Sequence, residues 1–366
     1  MKHLVFTVTT DLNYDQRMQR ICETMATAGY QVTLIGRLKP GSKLLRTSNY
    51  AQIRLHCFFH KGKWFYIEYN IRLFWYLLFF RCSAICGVDL DTALPAKLAA
   101  QFKGIPFVYD AHEYFTEIPE LVDRPAVRRI WRSIESFIVK PGLPAYTVSQ
   151  SLADVFFQVY KVRFAVIRNT TVYEGAPSAQ PSAEPLILYA GAVNTGRGLE
   201  LLLEVLPDLQ AGLEICGDGD LLPLLKEMVQ TRGLQSKVTF TGYLDPTDLR
   251  RRMEHATVGY LMLAFQGLSY YHSLANKFFD YMHAGLPQVC IDFPEYRHIN
   301  ETAQVAILCP LDKSSVTKAL QTLLEDDSLR MQIRSRALEA AKQYNWQKES
   351  QNLVSFYADL FKEETI

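Results

Sequence analysis

Five stretches of this 366-residue chain hold side chains whose types and spacing suit chemistry, and each follows an apolar run. In residues 191–198, Gly191-Ala192-Val193-Asn194-Thr195-Gly196-Arg197-Gly198, glycines let backbone approach an anion and Arg197 adds a forked cation. That suits phosphate; the alternative is an ordinary turn with a surface arginine. Residues 216–220, Cys216-Gly217-Asp218-Gly219-Asp220, allow a tight turn and close ligand approach, or else a turn in which Asp218 or Asp220 caps a helix. In residues 271–281 a helix is expected to start near Leu274 or Ala275, capped by Ser273, with its first amides facing an anion just after His272. Asn276 opens that helix, and Lys277 and Asp280, three apart, share a face. A cation for phosphate and a carboxylate for ribose hydroxyls suit a nucleoside diphosphate; the alternative is a surface ion pair. Tyr109-Asp110-Ala111-His112-Glu113 offers a histidine for a sugar hydroxyl or a proton, or a structural Asp–His hydrogen bond. Asp11-Leu12-Asn13-Tyr14-Asp15-Gln16-Arg17 reads similarly, with helix capping by Asn13 or Asp15 as its alternative.

Positioning these loops requires short apolar strands alternating with amphipathic helices, a pattern that runs through the whole chain and specifies an α/β class with parallel sheets. Strands are expected at 3–9, 31–35, 53–58, 84–88, 106–109, 145–148 and 165–167, and after a restart at 186–189, 213–216, 238–241, 258–263, 288–291 and 306–309. Helices are expected near 15–28, 64–81, 95–102, 126–139 and 151–159, then 199–206, 221–231, 245–254, 276–283, 314–325 and 330–343. Two doubly wound domains follow, 1–170 and 186–345, joined by a linker at 171–185, with a last helix from Trp346 that no strand follows. Ligands of such sheets bind outside the carboxyl ends of the strands, where all five stretches fall.

Composition narrows the class. The chain is 49% hydrophobic and 21% charged, which excludes a disordered or collagen-like chain. The formal charge of +1 conceals +9 over residues 1–170 and −8 over residues 171–366. The seven cysteines are odd in number, lie mostly in apolar runs and show no structural zinc spacing, which suggests a reducing cytoplasm. The longest uncharged run in residues 64–81 covers only residues 73–80, far short of the ~20 residues of a membrane span. The basic charge is concentrated among aromatics: Lys61, Lys63, Trp64, Arg72, Trp75 and Arg81 around one helix, Arg124, Arg128, Arg129, Trp131, Arg132 and Lys140 around another. Residues 64–81 and 124–140 therefore suit an anionic membrane surface, with solvated core helices as the alternative. No motif for nucleic acid accompanies the charge.

With these loops in order, the chain resembles the GT-B glycosyltransferases, specifically the retaining family 4 group. The carriers are residues 11–17, Gly29-Tyr30-Gln31-Val32, Asp89-Leu90-Asp91-Thr92, residues 109–113, 191–198 and 217–219, Phe240-Thr241-Gly242-Tyr243, and Asn276-Lys277-Phe278-Phe279-Asp280-Tyr281 through Pro287. The resemblance implies two Rossmann-like domains facing across a cleft, the first for the acceptor and the second for a nucleotide-sugar donor, with the last helix crossing back to the first. It implies no metal or other cofactor. By the family pattern His112 contacts the transferred sugar and Arg197 and Lys277 stabilise the leaving diphosphate. Gly191, Asn194, Gly196, Gly217, Gly219, His272, Ser273, Leu274 and Asn276 line the donor, Asp280 holds the ribose and backbone near Tyr243 holds the base. Asp11, Asn13, Arg17, Asp110 and Glu113 lie on the acceptor side. Two positions depart from the pattern: His272 stands where the family has its first acid, eight before Asp280, and Ala192 stands where it has an arginine. The expected activity is sugar transfer, with retention, to a glycan or lipid-linked acceptor in cell-surface polysaccharide synthesis. The alternatives are a degenerate protein that binds a nucleotide sugar or a partner without turnover, and a nucleotide-sugar epimerase.

Overall fold

The structure, a computed structural model, describes residues 1–177, 182 and 184–362. They form two units, one of residues 1–169 with the chain from Glu349 onward, the other of residues 170–348. Part of the expected linker, residues 178–181 and 183, lies outside the described residues.

The first unit is built on seven strands: β1 (His3–Thr7), β2 (Gln31–Leu38), β3 (Ala51–His56), β4 (Ala84–Val88), β5 (Phe107–Ala111), β6 (Ala145–Thr147) and β7 (Ala165–Val166). They pair in parallel in the order β3-β2-β1-β4-β5-β6-β7. β1, β4 and β5 are buried on both faces, which is why Leu4-Val5-Phe6 and Ala84-Ile85-Cys86 read as continuous apolar runs. Strand order reverses between β1 and β4, so the loops after β1, β4 and β5 converge at the switch point. The helix Trp346–Lys362 completes this core: Tyr357 is fully buried, its ring edge-on to Phe6 at 5.9 Å and to Tyr146 at 6.3 Å.

The second unit has six strands: β8 (Leu186–Ala190), β9 (Gly212–Cys216), β10 (Val238–Gly242), β11 (Val258–Leu261), β12 (Gln288–Ile291) and β13 (Ala306–Cys309). Their order is β10-β9-β8-β11-β12-β13, again parallel and again reversing, here between β8 and β11. The helix Asn276–His283 is pinned beneath that point by Tyr281, whose hydroxyl accepts from the Ala190 amide (3.0 Å) and lies 3.3 Å from the carbonyls of both Leu188 and Tyr260. A Cβ on residue 259 would meet the Tyr281 ring at 2.7 Å, so Gly259 makes room for the pin.

The elements differ from the sequence expectation at identifiable places. The helix expected from Pro95 begins at Leu90 and runs through the proline. Pro95 has no N–H for the Asp91 carbonyl, and the Asn70 side-chain amide takes that acceptor instead at 3.0 Å. The helix Pro294–Ala303 and the single turns Phe115–Glu117, Pro119–Val122 and Leu268–Tyr271 were not anticipated. Pro294–Ala303 buries only Glu295, Tyr296 and Ile299, too sparse an apolar stripe to reveal a period, although its proline at the first position was a usable start signal.

Candidate functional site

In the first unit the loops after β1, β4 and β5 assemble a closely bonded charged cluster. Arg17, from the helix Gln16–Thr27, is buried; its Nε donates to His112 Nε2 at 2.8 Å and its Nη2 to Asp110 Oδ1 at 3.3 Å. His112 Nε2 also lies 2.9 Å from Asp110 Oδ2, and Nδ1 lies 3.5 Å from Asp89 Oδ2. One ring nitrogen thus sits between a donor and an acceptor. It accepts from Arg17 when neutral with its proton on Nδ1, and donates to Asp110 when protonated. Burial works against the imidazolium, but Asp110 and Asp89 outweigh it and hold the His112 pKa above its ordinary value. Burial likewise opposes ionisation of Asp110, yet His112 and Arg17 hold its pKa below the usual range.

Asp89 and Asp91 join this cluster, and sequence reasoning did not single them out as site residues. Asp89 takes a left-handed backbone (φ 53°) at the end of β4 and accepts the His112 amide at 2.8 Å. Such a conformation costs a non-glycine residue energy, and it aims the carboxylate back into the strand ends. Asp91 accepts from the Thr9 hydroxyl at 2.5 Å. Burial, reinforced by Asp89, pushes Asp91 up to about 7 and Glu113 up to about 8. Near neutral pH these carboxyls hold protons that a general acid or base exchanges. The usable signal was two acids flanking a strand end, Asp89-Leu90-Asp91.

The other two candidates on this side are drawn apart from His112. Asp11 accepts from Arg54 (2.9 Å), from the Ser42 hydroxyl and from the Asn13 amide. Asn13 donates to the carbonyls of Lys43 (3.3 Å) and Leu44 (2.9 Å) and accepts from the Arg46 amide (3.3 Å). Both hold the segment between β2 and β3. Asp15 supplies the cap of the helix through the Met18 amide.

In the second unit, the loops after β8 and β9 lock together. The Gly191 and Val193 amides donate to the carbonyls of Cys216 and Asp218, both at 2.9 Å, and Asn194 Oδ1 accepts the Asp220 amide at 3.3 Å. A Cβ on residue 217 would stand 1.9 Å from the Gly191 carbonyl, and one on residue 219 would stand 2.3 Å from Asn194 Oδ1. Gly217 and Gly219 are therefore required by loop-to-loop packing, beside the tight turn and close ligand approach expected of them from the sequence. No aspartate caps the following helix Leu222–Thr231.

Lys277, half-buried, lays its ammonium 3.7 Å from the centroid of the Tyr189 ring, beside Gly191. Arg197 lies over Tyr270 at 5.5 Å. Among the described residues neither cation lies within ion-pair distance of a carboxylate, so the surface ion pair expected as the alternative does not form. Burial, then Arg197, hold the Lys277 pKa well below its ordinary value despite Asp280. Asp280 instead accepts from the Thr171 hydroxyl at 2.5 Å. Two neighbouring cations in this state have the chemistry to receive an anion.

Ser273 does not cap the helix: it donates to the Tyr270 carbonyl (2.7 Å), the cap position is Ala275, and the Ala275 amide is taken by Tyr296 (2.9 Å). The turn Leu268–Tyr271 draws Ser273 back, leaving the helix to begin at Asn276. Leu274 is buried, and His272 packs edge-on against Tyr271 at 5.1 Å. Gly196 stands where a Cβ would meet the Gln266 amide at 2.8 Å. Tyr243 follows β10 and is 80% exposed. Among the described residues no cluster of three or more His, Cys, Asp or Glu could hold a metal ion, and no helix is long and apolar enough to cross a membrane.

Residues 175–340 match the family of glycosyl transferases group 1. Over 184 residues, 48% of the chain, the sequence is 26% identical to α-D-kanosaminyltransferase of Streptomyces kanamyceticus, covering 46% of that protein. Over 180 residues it is 24% identical to an uncharacterized glycosyltransferase of Methanocaldococcus jannaschii, covering 45% of it. The chain thus spans less than half the length of these curated relatives. The fold is similar to sucrose-phosphate synthase from Thermosynechococcus elongatus (TM-score 0.84, 17% identity, 99% of this chain and 100% of that one). It is also similar to Anabaena HepE in complex with UDP and glucose (TM-score 0.78, 13% identity, 98% and 100%). The chain has the GT-B fold, and its residues 175–340 match the model of the group 1 glycosyl transferases.

Proposed function

We propose that this chain transfers a sugar from a nucleoside-diphosphate sugar to a hydroxyl of a glycan or lipid-linked acceptor, with retention, in cell-surface polysaccharide synthesis on the cytoplasmic side of a membrane. The observation that carries this reading is the pair Arg197 and Lys277, cations without a carboxylate, beside glycine-built loops at the switch point of the second sheet. The HepE structures with UDP and UDP-glucose support a nucleotide sugar as the ligand.

In the proposed reaction the anomeric C–O bond to phosphate breaks, positive charge spreads over the ring carbon and oxygen, and the electron pair leaves on the diphosphate. Arg197 and Lys277 stabilise that charge, and its arrival raises the Lys277 pKa that burial lowers. The acceptor hydroxyl bonds to the anomeric carbon and its proton passes to the leaving phosphate. Asp280 takes the ribose hydroxyls and His112 a hydroxyl of the transferred sugar. Because protein cations neutralise the diphosphate, we propose that no metal is required.

The substitutions Ala192 and His272 favour a second reading, a protein that holds the nucleotide sugar without turnover. Thermal-shift screening against UDP-, GDP-, ADP- and CMP-sugars identifies the donor, since a ligand at 100 times its Kd stabilises by about 2.7 kcal/mol. Release of free nucleoside diphosphate from that donor, unchanged by EDTA, supports transfer. Binding without release sinks transfer in favour of the second reading, and epimerised donor without acceptor would indicate an isomerase.

A further inference from the structure

We propose that the outer faces of the helices Gly62–Phe79 and Pro125–Ile138 dock the first unit on an anionic lipid bilayer, with a lipid phosphate seated among Arg129, Arg132 and Lys140. The inference is independent of the reaction above, because it is read without donor.

The helix Gly62–Phe79 is apolar on two faces. Phe65, Tyr69, Leu73 and Leu77, four apart, are buried against the sheet. Trp64, Ile67, Ile71, Trp75 and Phe79 form a second stripe at helical spacing, each 48–78% exposed. A solvated helix carries polar residues on such a face, so this one is built for an apolar partner. Lys61 and Lys63 flank one end of the helix and Arg81 the other, all exposed. Trp and Phe between cations suit the boundary of acyl chains and phosphates, where the rings immerse and the cations stay at the headgroups.

The second helix adjoins the first through Tyr66 on Trp131, ring centroids 5.9 Å apart. Its polar residues Arg129, Arg132, Ser133 and Ser136, with Lys140 just beyond its end, line a pocket of about 510 Å³. Arg132, Ser136 and Lys140 also line an adjoining pocket of about 650 Å³ that reaches Tyr114 and Tyr160. Glu117 neutralises part of this charge by accepting from Arg128 and Arg132. Arg129 and Lys140 have no carboxylate partner among the described residues. Cations and hydroxyls around an open pocket match a phosphate oxyanion. A second copy of this chain would bring cations against the same cations, so charge complementarity favours the bilayer.

The test is co-sedimentation of the full chain with vesicles of phosphatidylcholine alone and with about one-third phosphatidylglycerol. Binding to the anionic vesicles only, weakened by salt, is the expected result. Arg129→Glu with Lys140→Glu should weaken it about a hundredfold or more, from the contribution of each cation near an anionic surface. Trp75→Ser with Phe79→Ser should weaken it at least tenfold; both pairs are exposed, and an unchanged melting temperature verifies the fold. Equal binding to both vesicle types, no binding, or wild-type binding by both variants overturns the proposal. So does a lipid-free dimer that Trp75→Ser with Phe79→Ser dissociates, or full release by inorganic phosphate at constant ionic strength.

Discussion

At the strand ends of the first sheet Arg17, His112, Asp110 and Asp89 hold one another, with every separation at 3.5 Å or less. At the strand ends of the second, Arg197 and Lys277 face each other's field, and burial leaves the lysine reluctant to carry its charge. The same topological position therefore bears a satisfied network in one unit and an incomplete one in the other. A satisfied network adds to stability and loses it when cut, whereas an incomplete one costs stability until a ligand supplies the missing charge. The difference teaches that the second unit, and not the first, has charge to offer an anion.

The largest break in that comparison is Arg197→Ala with Lys277→Ala. Removing one preorganised group of this type costs about 10²–10³ in kcat, so the pair should lose about 10⁴ or more, with the melting temperature retained. Normal turnover in the purified double variant would refute the assignment. Arg17→Ala should do the reverse: it takes the guanidinium from the buried Asp110, which keeps only His112, and urea unfolding should show a loss of about 3 kcal/mol. A loss below 1 kcal/mol would mean that the cluster is not the stabilising network described.

Lys277→Met sharpens the contrast. It should abolish turnover while holding or raising the melting temperature by removing a half-buried charge without a carboxylate. In the wild type, nucleoside-diphosphate binding should take up a proton and weaken as pH rises, because the anion raises a lysine pKa that burial has lowered. Calorimetry in two buffers of different ionisation enthalpy reads that proton directly.

The pH dependence of the first unit has a worked sign. Asp91 and Glu113 hold protons in the fold to about 7 and about 8, above their ordinary values of 3.8 and 4.5. Stability from such groups is full below the unfolded pKa and is lost as pH rises through the folded one. His112, with its pKa raised, acts in the same sense above 6.5. Asp110 acts oppositely, losing its contribution only as pH falls below the usual carboxylate range. The melting temperature should therefore fall between about pH 5 and 8, and Asp91→Asn should flatten that slope. The smallest effect is Asn70→Ala, which orphans the Asp91 carbonyl and should cost about 1–2 kcal/mol in urea.

Much of this was legible in the sequence. Continuous apolar runs located most of the strands because parallel sheets bury both faces, and Asp-Ala-His and Asn-Lys followed them at the strand ends. What was not legible lay in contacts between distant loops. The packing need for Gly217 and Gly219 shows only once the Gly191 carbonyl and Asn194 side chain are in place against them. Ser273 looks like a cap because nothing local reveals that a preceding turn will claim its hydroxyl. Asp89 carried the resemblance without a place in the site, because its left-handed backbone, which turns its carboxylate toward His112, is set by the fold and not by neighbouring residue types.

The helix that carries Tyr357 has a consequence for biogenesis. On a ribosome all strands of the first sheet emerge before those of the second, yet the slot between Phe6 and Tyr146 stays unfilled until residue 357 is made. The second unit, later in the chain, has its full complement of residues by 348, and so it is the first that is able to finish folding. Through that interval the first unit waits with part of its apolar interior open, a substrate for chaperones. A chain interrupted just short of this helix would leave it there permanently.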